Sequence, residues 1–207
     1  MSWLEPMKPI DFWFSIGSTY TYLTVMRIQS IGRDAGLEFD WRPFSVRKLM
    51  EEMGNVPFVG KPVKERYMWR DVQRQAEHYG FPVSLPVEYP LKHFDLANRI
   101  AIVAKQEGWC AEYVTMTYRL WFQDGVAAGS EANLDRCLQE TNHSRTRVID
   151  LANSDEIKTA YEEATDEARS LGIFGSPTFV VGDGEIFWGN DRLEDAVRWA
   201  LRDSDPA

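Results

Sequence analysis

The sequence predicts an α/β fold in which a β-α-β unit at the amino end and a β-β-α unit at the carboxyl end flank a long all-helical stretch. Strand-like apolar runs fall only near the two ends of the chain, whereas helix-like spacing fills the middle. Glycine and proline clusters mark where one regime gives way to the other.

The first run, Lys8-Pro9-Ile10-Asp11-Phe12-Trp13-Phe14, is short, aromatic and apolar, and stops at the turn-forming Ser15-Ile16-Gly17-Ser18. A helix then spans Thr19 to about Ala35, with Tyr22, Leu23, Met26, Ile28 and Ile31 on its apolar side and Gly36 as its stop. Leu37 to Phe44 alternates with period two and reads as a second strand. Parallel strands joined this way require a right-handed crossover.

In the middle, Ser45 caps a short helix through Met53. Pro62 suits the first turn of a helix that runs to Tyr79. Pro82, Pro86 and Pro90 make 80–90 an extended loop, and further helices follow at about 92–107, 109–124 and 131–140. From Ser154 to Leu171 the residues Ile157, Ala160, Tyr161, Ala164, Ala168 and Leu171 share one helix face, and Gly172 ends it. Thr178–Val181 and Glu185–Trp188 flank Gly182-Asp183-Gly184, the signature of a tight antiparallel hairpin. A last helix after Gly189-Asn190-Asp191 turns Leu193, Ala196, Val197, Ala200 and Leu201 inward. This order is that of a thioredoxin fold carrying an inserted all-helical domain, with 1–44 and 172–207 as the thioredoxin-like part and 45–171 as the insertion.

With 207 residues, 44% of them apolar, the chain suffices for one well-packed domain with a large insertion. Its net charge of -9, uninterrupted by any Lys/Arg block, repels nucleic acid and anionic lipid. Neither a secretory signal nor a membrane span is legible, so a soluble cytoplasmic protein is expected. Cys110 and Cys137 are too far apart in sequence to form a C-x-x-C pair, and no zinc cluster is expected. They read as buried small residues, with a redox role as the competing view.

Three segments carry candidate chemistry. Ser18, in Gly17-Ser18-Thr19-Tyr20-Thr21-Tyr22, stands where a strand gives way to a helix whose terminal N–H groups favour an anion. Thioredoxin-like proteins place a reactive cysteine there. A serine without a base is a poor nucleophile, and His78, His93 and His143 lie elsewhere, so its hydroxyl suits donation to a foreign thiolate. The plain alternative is a helix cap. In Phe174-Gly175-Ser176-Pro177-Thr178, a cis Pro177 would expose the Ser176 backbone for antiparallel pairing with a bound peptide. An ordinary trans proline starting an edge strand is the alternative. In Trp188-Gly189-Asn190-Asp191-Arg192-Leu193, Asn190 and Asp191 either cap the last helix or hold the charged end of a ligand.

Taken together, the chain resembles the kappa-class glutathione transferases and 2-hydroxychromene-2-carboxylate isomerases, a DsbA-like branch of the thioredoxin superfamily. The similarity runs over almost the whole length. It includes Ser18 in Ser-Thr-Tyr-Thr-Tyr, Trp41-Arg42-Pro43, Gly54-Asn55-Val56-Pro57, Lys64 through Asp71, the proline-rich loop, Gly175-Ser176-Pro177 and Trp188 to Leu193. The resemblance implies a glutathione site. In it the Ser18 hydroxyl holds the thiolate, Asn55 and Lys64 reach the ligand from the helical part, Ser176 beside Pro177 binds through its backbone, and Asn190 with Asp191, aided by Asp71, holds the γ-glutamyl end. It further implies a homodimer and a small aromatic or conjugated electrophile. Trp13, Tyr20, Tyr22 and Trp69 are candidate pocket residues for it, Tyr20 and Trp13 chosen among them, with ordinary core packing as the alternative. One departure is Thr19, where many relatives have proline, which removes a preorganised first turn. Two other functions remain open from sequence: a non-catalytic peptide-binding or scaffold protein of the same fold, and a disulfide oxidoreductase, disfavoured because the dithiol is missing.

Overall fold

The computed structural model describes residues 9–55, 58, 60–182 and 184–202. The sequence segments Val56-Pro57 and Asp183 lie outside them. Strands β1 (Ile10–Phe14), β2 (Phe39–Pro43), β3 (Thr178–Val180) and β4 (Ile186–Trp188) form one mixed sheet in the order β2-β1-β3-β4. β1 pairs parallel with β2, while β3 pairs antiparallel with β1 and with β4, as the β-α-β and hairpin patterns require.

The crossover differs from expectation. Instead of one helix over 19–35 there are two, α1 (Thr19–Val25) and α2 (Ile28–Ala35). Arg27, at the break, is buried and turns its guanidinium inward to the Asn190 carbonyl (3.1 Å), to Glu194 and over the Tyr79 ring, 4.1 Å from its centre. The Arg27 N–H bonds three residues back, to the Thr24 carbonyl (3.0 Å), so the helical ladder is interrupted at the residue that makes these long-range bonds. Gly36 then closes α2 in the left-handed conformation that glycine adopts freely.

The helical part comprises α3 (Val46–Glu52), α4 (Pro62–Tyr79), α5 (Phe94–Glu107), α6 (Cys110–Phe122), α7 (Glu131–Glu140), α8 (Arg145–Ala152) and α9 (Asp155–Ser170). Ser45, Ser130 and Ser154 cap α3, α7 and α9 through their side chains, and Pro62 opens α4. The short, largely polar α8 has no sequence counterpart above; only Val148 and Ala152, one turn apart, are buried. A 3-10 turn at Asn190–Arg192 leads into α10 (Leu193–Leu201).

A single apolar cluster runs from the sheet into the helices. Phe12 is fully buried at its centre, 5.3 Å from Phe14, 5.0 Å from Trp41 and 5.6 Å from Phe179, measured between ring centres. Aromatic packing of this kind adds edge and stacking attraction to area burial. Phe12→Ala is expected to cost about 3–5 kcal/mol, read as a lowered urea midpoint with an unchanged transition slope.

Candidate active site

The site lies at the carboxyl ends of the two parallel strands, where α/β sheets commonly receive ligands. The Phe44 N–H donates to the Phe14 carbonyl (3.1 Å), so both strands leave the sheet at one level. Register supplies the third wall. Trp13 faces Thr178 in the antiparallel β1–β3 ladder, and continuing two residues brings Ser15 opposite Ser176. The Ser176–Pro177 peptide is cis, and the Ser176 hydroxyl accepts from the Ser15 N–H at 2.9 Å.

Ser18 occupies the cap position of α1 with extended backbone angles, yet its side chain does not cap the helix. Its hydroxyl instead donates to the Ser176 carbonyl at 2.6 Å. Thr21 and Ser176 hydroxyls meet at 2.9 Å beside it. Ser18, Thr21, Ser176 and Pro177 are thus one cluster. Ser18 and Ser176 are partly exposed, so the cluster is open to a ligand on one side. Because α1 has only seven residues, its end offers unpaired terminal N–H groups rather than a long dipole.

A second polar group sits behind the first. The Tyr20 hydroxyl donates to Asp71 (3.0 Å), which also accepts from Gln75 (2.8 Å) and Arg74 (3.1 Å). Burial and the adjacent Asp71 carboxylate push the Tyr20 hydroxyl well above its usual range. Burial works against the Asp71 charge, but the bonds from Arg74, Tyr20 and Gln75 outweigh it and hold the carboxyl below its usual range. Gln75 in turn accepts from the Asn190 amide at 2.9 Å.

Asn190 is therefore a structural residue in this arrangement. It is 2% exposed, and its side-chain oxygen accepts from Thr24 (3.3 Å) and Arg27 (3.2 Å). No donor on its side chain points to solvent, so the expectation that it grips a ligand through that amide is corrected. Asp191 beside it is exposed, and its carboxylate lies over Gly189, whose positive φ and missing Cβ leave the room. Trp13 is likewise corrected: it is fully buried, edge-on to Phe44 (5.9 Å) with Arg42 over its ring, and belongs to the core. Asn55 and Lys64 are exposed, outside the polar cluster. Lys64 stands one turn before Met68, whose sulfur accepts from the Thr19 hydroxyl at 3.0 Å, so α4 starts beside the Ser18 end of α1.

Several contributors had no sequence signal. Asn98 and Tyr118 are single polar residues within helical patterns, and only the fold brings them to the Ser15–Ser18 turn, as it brings Thr21 to the Ser176 hydroxyl. Phe174 and Trp188 form an exposed aromatic pair, 4.9 Å between ring centres, next to the cis Pro177 loop. Cys110 and Cys137 are free and buried, and burial raises both thiols, that of Cys137 to about 11. Neither thiol has the exposed, low-pKa character of exchange chemistry. Among the described residues no group of three His, Cys, Asp or Glu could hold a metal, and no helix is long and apolar enough to cross a membrane.

A four-stranded mixed sheet, a cis proline facing a helix start, and helices inserted between β2 and β3 define a thioredoxin-fold protein of the DsbA-like kind. The chain belongs to the family of DSBA-like thioredoxin domains, whose model matches residues 9–198. It is 26% identical over 189 residues to a 2-hydroxychromene-2-carboxylate isomerase of Sphingobium xenophagum, covering 90% of this chain and 95% of that one. It is 24% identical over 202 residues to glutathione S-transferase kappa 2 of Caenorhabditis elegans, covering 90% and 88%. A solved 2-hydroxychromene-2-carboxylate isomerase structure superposes with a TM-score of 0.83 at 27% identity, covering 96% of this chain and 98% of that one.

Asn190→Ala is expected to destabilise the fold by about 1–3 kcal/mol, the cost of stranding buried partners, measurable by urea titration. Asp71→Asn is expected to cost about 1 kcal/mol at neutral pH. Because the folded carboxyl titrates below its unfolded value of about 3.9, the stabilisation is present above that pH. It is lost as pH falls through the depressed folded value. Urea titrations of both proteins at stepped pH should show the gap closing in that acid window.

Proposed function

We propose that this chain is a glutathione-dependent enzyme of the 2-hydroxychromene-2-carboxylate isomerase or kappa-class transferase kind, acting on a small aromatic or conjugated electrophile. The observation that carries the reading is the Ser18 hydroxyl, 2.6 Å from the Ser176 carbonyl and partly open to solvent. Glutathione, when bound, supplies the thiol that adds to the electrophile. The residues present fit it: a hydroxyl donor, a peptide edge before a cis proline, an exposed carboxylate at Asp191 and an exposed ammonium at Lys64.

In this reading the Ser176 backbone pairs with the cysteinyl part of the tripeptide, as an edge strand pairs with an added one. Ser18 carries one hydroxyl proton. Rotation about its Cα–Cβ bond directs that proton to the sulfur while a ligand N–H takes the Ser176 carbonyl. A donor aimed at a sulfur lowers the cost of its charge, so the thiolate persists at neutral pH. Asp191 receives the γ-glutamyl ammonium, and Asn55 and Lys64 approach from the helical side. Asp71 keeps the Tyr20 ring in place at the edge of the site, where it meets the electrophile. A cytoplasmic location, a homodimer and a role in breaking down aromatic acids complete the proposal, supported by the family resemblance.

A scaffold role of the same fold has no specific observation in its favour, and the raised cysteine thiols speak against disulfide exchange. Ser18→Ala is expected to raise the pKa of the bound glutathione thiol and to cut turnover by ~10²-fold, the scale of removing one preorganised donor. Thiolate absorbance across a pH series, with steady-state turnover of an aromatic electrophile, reads both. Unchanged turnover in the variant across neutral pH would refute the assignment.

A further inference from the structure

We propose that Asn98 and Tyr118, from the helical insertion, are positioning residues that fix the Ser15–Ser18 turn and so set the direction in which the Ser18 hydroxyl points. The proposal rests on the glutathione reading above.

Asn98, on α5, is fully buried. Its side-chain oxygen accepts from the Ile16 N–H at 2.8 Å, and its amide nitrogen donates to the Ile16 carbonyl and to the Phe94 carbonyl, each at 2.9 Å. The carboxamide therefore pairs with both polar groups of one residue, as a neighbouring strand would, two positions before Ser18. Both of its N–H groups and its oxygen are used, so its orientation is determined. Tyr118, on α6, is also fully buried, and its hydroxyl lies 3.1 Å from both the Ser15 and the Ser18 carbonyls. Burial raises that hydroxyl's pKa, so it remains a donor across the working pH range.

Gly17 explains why the turn needs such clamps. Its φ of +132° is open to glycine, and a Cβ there would stand 2.6 Å from the Phe94 ring. A glycine inside the turn leaves Ser18 free to swing about the Gly17 backbone unless both sides are held. Asn98 holds the near side and Tyr118 holds Ser18 itself. The turn closes itself with one backbone bond, from the Ser18 N–H to the Ser15 carbonyl (3.1 Å), and Thr19 follows where a proline would have stiffened the first helical turn, so further stiffness comes from outside the segment. An apolar residue at position 98 would fill the core equally well but would leave two backbone groups of Ile16 without partners.

The test compares Asn98→Leu, Tyr118→Phe and a control, Thr117→Val. Thr117 is buried beside Tyr118, but its hydroxyl faces Cys137 rather than the turn. For each protein, thermal midpoint, glutathione affinity by calorimetry, pKa of the bound thiol and kcat are measured. All three variants are expected to melt earlier. Only Asn98→Leu and Tyr118→Phe should raise the bound thiol's pKa, by about one unit, and lower kcat by about tenfold, with affinity changed less than kcat. An unchanged thiol pKa in those two, or an equal rise in the control, overturns the positioning role. Should Asn98→Leu fail to fold, Tyr118→Phe decides alone. A wild-type protein that binds glutathione without depressing its thiol pKa refutes the Ser18 reading itself, and this proposal falls with it.

Discussion

The hydrogen bond from the Ser18 hydroxyl to the Ser176 carbonyl joins residues 158 positions apart, and the rest of the site is arranged to make it possible. β1 must end at Phe14 so that the chain can turn into α1 with Ser18 at its start. β3 must run antiparallel to β1 in the register that sets Ser176 across from Ser15. A one-residue slip would turn the opposite face of β3 toward the core and remove Ser176 from the site. The bond is thus a consequence of sheet register as much as of local chemistry.

The helices contribute more than cover. Phe94 and Asn98 on α5, Tyr118 on α6 and Met68 on α4 all touch the segment from Ile16 to Thr19. A parallel chain of polar contacts runs from Tyr20 through Asp71 and Gln75 to Asn190, and from there to Thr24 and Arg27. That chain ties α1, α4 and the start of α10 together behind the open face. Most of these polar groups are satisfied by their neighbours, which lowers the penalty of keeping them inside, although Arg27 Nε is left without a partner. Asp191, beside Arg192, and Lys64 are among the charged groups exposed to solvent, and they are the two proposed to meet the ends of a charged tripeptide.

Much of this was legible in the chain itself. The aromatic run at 10–14, the alternation near Trp41 and the hairpin around Gly184 all reflect periodicities that depend on near neighbours, and the structure follows them. Pro62 at the start of α4 and the Ser45 cap act locally and were equally readable. What escaped depends on distant partners. The break at Arg27 falls where that residue bonds to Asn190 and Glu194, more than 160 residues away. Asn190 looks like a helix cap in sequence but is buried by the return of α10, and Trp13 looks like a pocket wall but is covered by Phe44 and Arg42. Asn98 and Tyr118 carry no local pattern, because a single polar residue on a buried helix face acquires its role only from what the fold places opposite it. α8 is too short and too polar to stand out by spacing alone.

In a crystal structure of the protein with glutathione, the cysteinyl sulfur is expected within hydrogen-bonding reach of Ser18 Oγ, roughly 3.3 Å, with the cysteinyl backbone paired antiparallel with Ser176. A sulfur held elsewhere, with Ser18 still donating to the Ser176 carbonyl, would contradict this arrangement.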